Sequence, residues 1–119
     1  MINITVLLAI VWSHFVGDFI LQSSYLALNK SKSNKVLLQH VLWYALPLVM
    51  LAMYFSVSIY WVLLNVVLHF MTDYVTSRIT GHLWEKEEHH WYFVTIGADQ
   101  AIHLTCLITS YYYLGRVIY

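Results

Sequence analysis

Four apolar stretches, each about as long as a bilayer's hydrocarbon layer is thick, constrain this chain most. They cover about residues 2–22, 35–55, 57–77 and 91–113. Roughly 20 apolar residues in an α-helix cross a ~30 Å hydrocarbon core, and lipid tolerates only backbone that satisfies itself within the segment. The expected fold is therefore all-α, an integral membrane four-helix up-down bundle forming a single transmembrane domain over residues 1–119. Composition agrees, since 61% of residues are hydrophobic and 10% charged, against about a quarter charged in a soluble domain. A formal net charge of zero gives no basic face for nucleic acid and no acidic arm. The lone Cys106 is a small core hydrophobe that cannot form an internal disulfide.

The connections fix an orientation. Residues 23–34 and 76–90 form loops, residues 56–58 a tight turn, and Pro47 is a kink candidate in the second helix. The two long loops carry Lys30, Lys32, Lys35, Arg78 and Lys86, against Arg116 alone at the other side. The positive-inside rule then places both loops in the cytoplasm and both termini outside. Trp84, Trp91 and Tyr92 mark one interface; Tyr54, Phe55, Tyr60, Trp61 and the three tyrosines Tyr111, Tyr112 and Tyr113 mark the other. The first stretch carries no early Lys or Arg and no small-residue cleavage site, so it reads as a retained helix, not a signal peptide.

The chemistry lies in the polar residues that interrupt these stretches. The chain has three aspartates, and each has a histidine four positions away: His14 with Asp18, His69 with Asp73, and Asp99 with His103. Given seven histidines in the chain, three such pairings at helical spacing are roughly a one-in-several-hundred coincidence. Each pair shares a helix face, and His40 lies one to two turns into the second helix. An up-down arrangement puts all seven groups in the cytoplasmic leaflet, roughly 6–18 Å below the long-loop interface. Facing helices build bundle-core metal sites in this way.

Ionised carboxylates in hydrocarbon cost about 3 kcal/mol each on insertion scales, and the spans hold no basic residue to offset them. Asp18 and Asp73 also lie towards expected helix C-termini, where the macrodipole disfavours negative charge. Protonated imidazoles or bound cations must compensate. Four imidazoles and three carboxylates are too many for one tetrahedral zinc. They suit one or two divalent transition-metal ions, zinc foremost, with a bridging hydroxide completing a two-ion site. The expected metal ligands are His14, Asp18, His40, His69, Asp73, Asp99 and His103; Gln22, Asn65 and Gln100 would orient ligands or substrate. A proton or ion relay and simple interhelical packing explain the same residues and stay open. His82, His89 and His90, beside Glu85, Glu87 and Glu88, read as a solvated interfacial patch or a weaker second metal site. Lys30, Lys32, Lys35 and Arg78 read as a surface for an anionic head group.

The motifs His14-Phe-Val-Gly-Asp18-Phe-Ile-Leu-Gln22, Asn29-Lys30, His40, His69-Phe-Met-Thr-Asp73-Tyr and Asp99-Gln100-Ala-Ile-His103 resemble domain-of-unknown-function family 3307, small bacterial and phage membrane proteins, over nearly the whole chain. The resemblance implies a four-helix membrane fold in the bacterial inner membrane and brings no established activity. A remoter likeness is to membrane-bound metal-dependent hydrolases and zinc-dependent phospholipases C, which use His-x-x-x-Asp pairs as ligands. Here His14/Asp18 and His69/Asp73 match that pattern, while Asp99/His103 reverses it and the His-x-x-x-Glu pair of a three-zinc site is missing.

The expected function is a metal-dependent hydrolase acting at the cytoplasmic leaflet on an ester or phosphoester of an amphiphilic substrate, with a metal-bound water as nucleophile. The alternatives are a proton or divalent-cation transporter or channel, and a metal-stabilised structural or regulatory membrane subunit. The bilayer and an amphiphilic or lipid substrate are the expected partners. A homo-oligomer would help to hide the polar faces of so thin a bundle.

Overall fold

Small polar residues at the ends of the apolar runs start the helices. Asn3, Ser23, Ser33 and Ser58 each accept a hydrogen bond from a backbone N–H in the first turn, at Thr5, Leu26, Val36 and Tyr60, which satisfies donors that a helix start leaves free. The computed structural model describes residues 3–116. In chain order its helices are α1 (Ile4–Phe15), a π-helical turn (Val16–Ile20), a short α2 (Ser24–Asn29), α3 (Asn34–Phe55), α4 (Ile59–Glu85), α5 (His89–Ser110) and a second π-helical turn (Tyr111–Gly115). The described residues are otherwise turns, with one isolated bridge between Val57 and Arg116.

The tight turn at residues 56–58 is as expected, with Ser56 left-handed (φ 54°) closing α3. Other boundaries differ from expectation. The segment 23–34 contains α2, and the fourth-helix helical run continues past residue 113 as the second π-helical turn. Helix α4 runs eight residues beyond Ser77, so the expected 76–90 loop shrinks to residues 86–88. A fall in hydropathy at Arg78 marks a change of environment, not the end of a helix, and no Pro stands between Ser77 and Glu85. Asp73 consequently lies well inside α4, about 18 Å from its C-terminal end, so the macrodipole argument does not apply to it. Helix α3 continues unbroken through Pro47.

Helix α1 packs on α3 and α5, α3 on α4, and α4 on α5, while α2 lies against α3. Gly17, in the first π-helical turn, lets that segment approach closely: a Cβ there would stand 3.0 Å from the Tyr44 carbonyl oxygen and 3.1 Å from Pro47 Cγ. The interior divides in two along its length. Towards the α3–α4 turn it is apolar, built on Ile10, Leu48, Trp61, Val62 and Leu107; towards the other end it is polar. Trp61 and Tyr111 belong to this core, correcting their reading as interface anchors. The outer surface is the reverse, with Trp12, Phe19, Trp43, Met50, Leu63 and Val67 among many large apolar side chains left exposed. Helices α3 and α4 are long and apolar enough to cross a membrane, and the shorter Ile4–Ile20 segment is apolar as well.

Candidate metal centre

All seven expected ligands are buried, and they meet in the polar half. The centre is a set of four: Asp18 from the first π-helical turn, His40 from α3, and His69 and Asp73 from α4. His40 Nε2 lies 3.0 Å from His69 Nε2, 3.1 Å from Asp18 Oδ1 and 3.2 Å from Asp73 Oδ2. His69 Nε2 lies 3.5 Å and 3.6 Å from the same two oxygens. A tetrahedral ion with ligands at 2.0–2.1 Å would separate them by about 3.3–3.4 Å. The five separations above, 3.0–3.6 Å, lie on either side of that figure.

His103 adjoins this set. Its Nε2 is 3.4 Å from Asp73 Oδ1, and its Nδ1 is 3.4 Å from Asp99 Oδ2 and 3.6 Å from Asp18 Oδ2. Neither ring nitrogen makes a hydrogen bond, nor does Asp73 Oδ1. Buried polar atoms are seldom left so; atoms that converge without pairing are arranged as co-ligands would be. Asp18 and Asp73 each turn one oxygen to the His40–His69 pair and the other to His103.

His14 differs from the other three histidines. Its Nε2–H donates to Gln100 Oε1 at 2.6 Å and its Nδ1 accepts from the Tyr44 hydroxyl at 3.3 Å. That tautomer follows from Gln100, whose Nε2 donates to Asp18 and Asp99 at 3.1 and 3.0 Å and so leaves Oε1 as the acceptor. Tyr44 had no motif to mark it. Its ring stacks on His69 at 3.7 Å, within 6° of parallel, joining two histidines from different helices. The i,i+4 pattern finds side chains on one face of one helix and is blind to such a cross-helix support.

Of the other residues expected to orient ligands, Gln22 lines the cavity beside the centre. Asn65 does not join it. It shares a face with His69, but its amide donates to the Trp61 carbonyl and to Ser110 Oγ, stapling α4 to α5 in the apolar half.

The family model described as a protein of unknown function, DUF3307, matches residues 6–118. The chain belongs to this family. No curated protein and no solved structure matches the DUF3307 chain significantly, and the hydrolase likeness gains no support there.

The basic residues of the DUF3307 chain do not act as one cluster. Lys30 follows α2 and turns inward, placing Nζ 2.8 Å from Asp73 Oδ2. A cation does therefore reach the carboxylates, from the connection between α2 and α3 and not from a long helix. It covers one oxygen of three aspartates. Lys32 and Arg78 line a cavity of about 700 Å³ over the centre, together with Asp18, Asp73, Asp99 and Gln100. Lys35 is exposed and is not among the residues that line that cavity. His89 and His90 are exposed, His89 stacking on Trp84 at 4.9 Å; among the described residues, neither joins a group able to hold a metal.

Proposed function

We propose that this chain is an integral membrane protein, a four-helix up-down bundle of the bacterial inner membrane with both termini outside, whose spans hold a metal centre that hydrolyses an ester or phosphoester of an amphiphilic substrate. The apolar exterior around a polar interior supports insertion, because an exposed apolar surface of this extent is a liability in water. The five basic residues towards one end and Arg116 beside Val57 at the other support the orientation.

The observation that carries the reading is the convergence of one ligand atom each from Asp18, His40, His69 and Asp73, all buried. His103 with Asp99 extends the set to a second ion, zinc being favoured by imidazole and carboxylate donors in this geometry. Gln100 and Tyr44 would position His14 and His69, and His14 would reach an ion only by exchanging its partner Gln100. A divalent ion held there supplies an activated water near neutral pH and offsets charge on the substrate oxygens. Water adds to the carbonyl carbon or phosphorus, the bond to the leaving oxygen breaks, and that oxygen takes the proton. The cavity gives such a substrate access. Transport is the weaker reading, because buried apolar side chains, Ile10, Leu48 and Trp61 among them, fill the other half of the interior.

Elemental analysis of detergent-purified protein tests this directly. One to two transition-metal equivalents are expected, lost in His69→Ala and in Asp73→Ala. A folded wild type purified without chelators and free of metal would rule the centre out. Metal with no turnover across ester and phosphoester panels would favour a structural or regulatory subunit.

A further inference from the structure

The cavity over the centre is lined by three cations, Lys30, Lys32 and Arg78, above the carboxylates of the centre, Asp18, Asp73 and Asp99. Arg78 is held entirely by neutral groups: its guanidinium donates to the Tyr74 carbonyl at 2.8 Å and to Asn34 Oδ1 at 2.7 Å, and lies 3.7 Å from the centre of the Tyr74 ring. Among the described residues, no carboxylate lies within ion-pair distance of Arg78 or Lys32. Both line the cavity, as does one acidic rim residue, Glu85.

Lys30 stands between rim and floor, its side chain 17% exposed and one donor committed to Asp73. An ammonium has three donors, so two remain for a ligand. Once ions cover the aspartates of the floor, the cavity is a basin for anions. The other wall is apolar, including Phe19, Leu28 and Ile96, and both Phe19 and Leu28 are exposed to the surroundings of the helices.

Resting on the metal centre proposed above, we infer that the substrate is a phosphate ester carried on an apolar tail, and that Lys30 and Arg78 select it over a carboxylic ester. A neutral ester has no use for these cations. A phosphate has several acceptor oxygens for them, and guanidinium suits its geometry. The tail lies along Phe19 and Leu28, where the cavity meets lipid.

The test uses full-length, zinc-loaded protein in detergent with two probes, inorganic phosphate and a short-chain phosphatidic acid, followed by calorimetry. Wild type should bind the lipid probe at least about tenfold more tightly than phosphate, reflecting burial of the tail. Lys30→Gln and Arg78→Gln should each weaken both probes by about tenfold, the loss of a charge-assisted contact, with zinc content unchanged in Arg78→Gln. Arg78→Gln is the safer variant, since Arg78 touches no member of the centre. Zinc-loaded wild type that binds neither probe, or variants that bind as wild type does, would overturn this inference and leave the centre standing. Equal affinity for both probes would overturn the amphiphilic part. Zinc-free wild type would overturn both readings.

Discussion

Tyr44 shows how much of this site depends on a residue that no pattern announces. Buried and stacked on His69, with its hydroxyl on His14, it fixes two rings that come from different helices. Tyr44→Phe keeps the stack and loses one hydrogen bond, so a melt in detergent should show a loss of about 1 kcal/mol with metal retained. Tyr44→Ala removes the support, costing about 3–5 kcal/mol, and should lose metal as well. The imidazoles set the pH dependence. Bound histidine must be neutral, so protons compete with the ion, and zinc retention should fall as pH falls. Zinc retention measured from pH 8 to pH 5 checks the sign; a flat profile would contradict a histidine-held ion. At this scale six of the seven polar side chains were legible from their spacing of four, which is itself a statement of shared helix face, and His40 from its depth in the second helix. The partners of Lys30 and Asn65 were not, since a long flexible side chain and a one-turn offset decide them in three dimensions.

Helix ends were the weaker part of the sequence reading, for a physical reason. Hydropathy reports what surrounds a segment, whereas backbone hydrogen bonding decides where it stops. Helix α4 accordingly runs on to Glu85, and α2 forms within a polar connection from a serine cap. The π-helical turn at Val16–Ile20 was equally invisible, although such turns gather at functional positions and this one carries Asp18. Two glycines separate packing from propensity. Gly17→Ala would push a methyl group to 3.0 Å from the Tyr44 carbonyl oxygen, and overpacking of this kind costs about 1–3 kcal/mol. At Gly97, exposed in α5, an added Cβ meets nothing within 4 Å, so Gly97→Ala should be neutral or stabilise by up to about 1 kcal/mol. Equal effects in thermal melts would show that the contact between the first π-helical turn and α3 does not bear on stability.

Along the long helices the molecule buries its ionisable groups and exposes many large apolar side chains. This arrangement follows from the sequence pattern alone, since apolar stretches with a single polar face can hide that face only against one another. The proposed insertion predicts that the protein stays with membranes through an alkaline carbonate wash and is released by detergent. Recovery in the soluble fraction would refute it. The division of the interior into an apolar and a polar half was also legible, because the seven candidate ligands all fall within one leaflet of an up-down bundle. The volume of the cavity was not, because it depends on where α2 lies against α3.

Asp18 and Asp73 each face two ways, one oxygen towards His40 and His69 and the other towards His103. Should two ions occupy the centre, they would share these carboxylates, and the first to arrive would orient both for the second. Loading would then be cooperative. At one equivalent of zinc, native mass spectrometry should find empty and doubly loaded molecules outnumbering singly loaded ones.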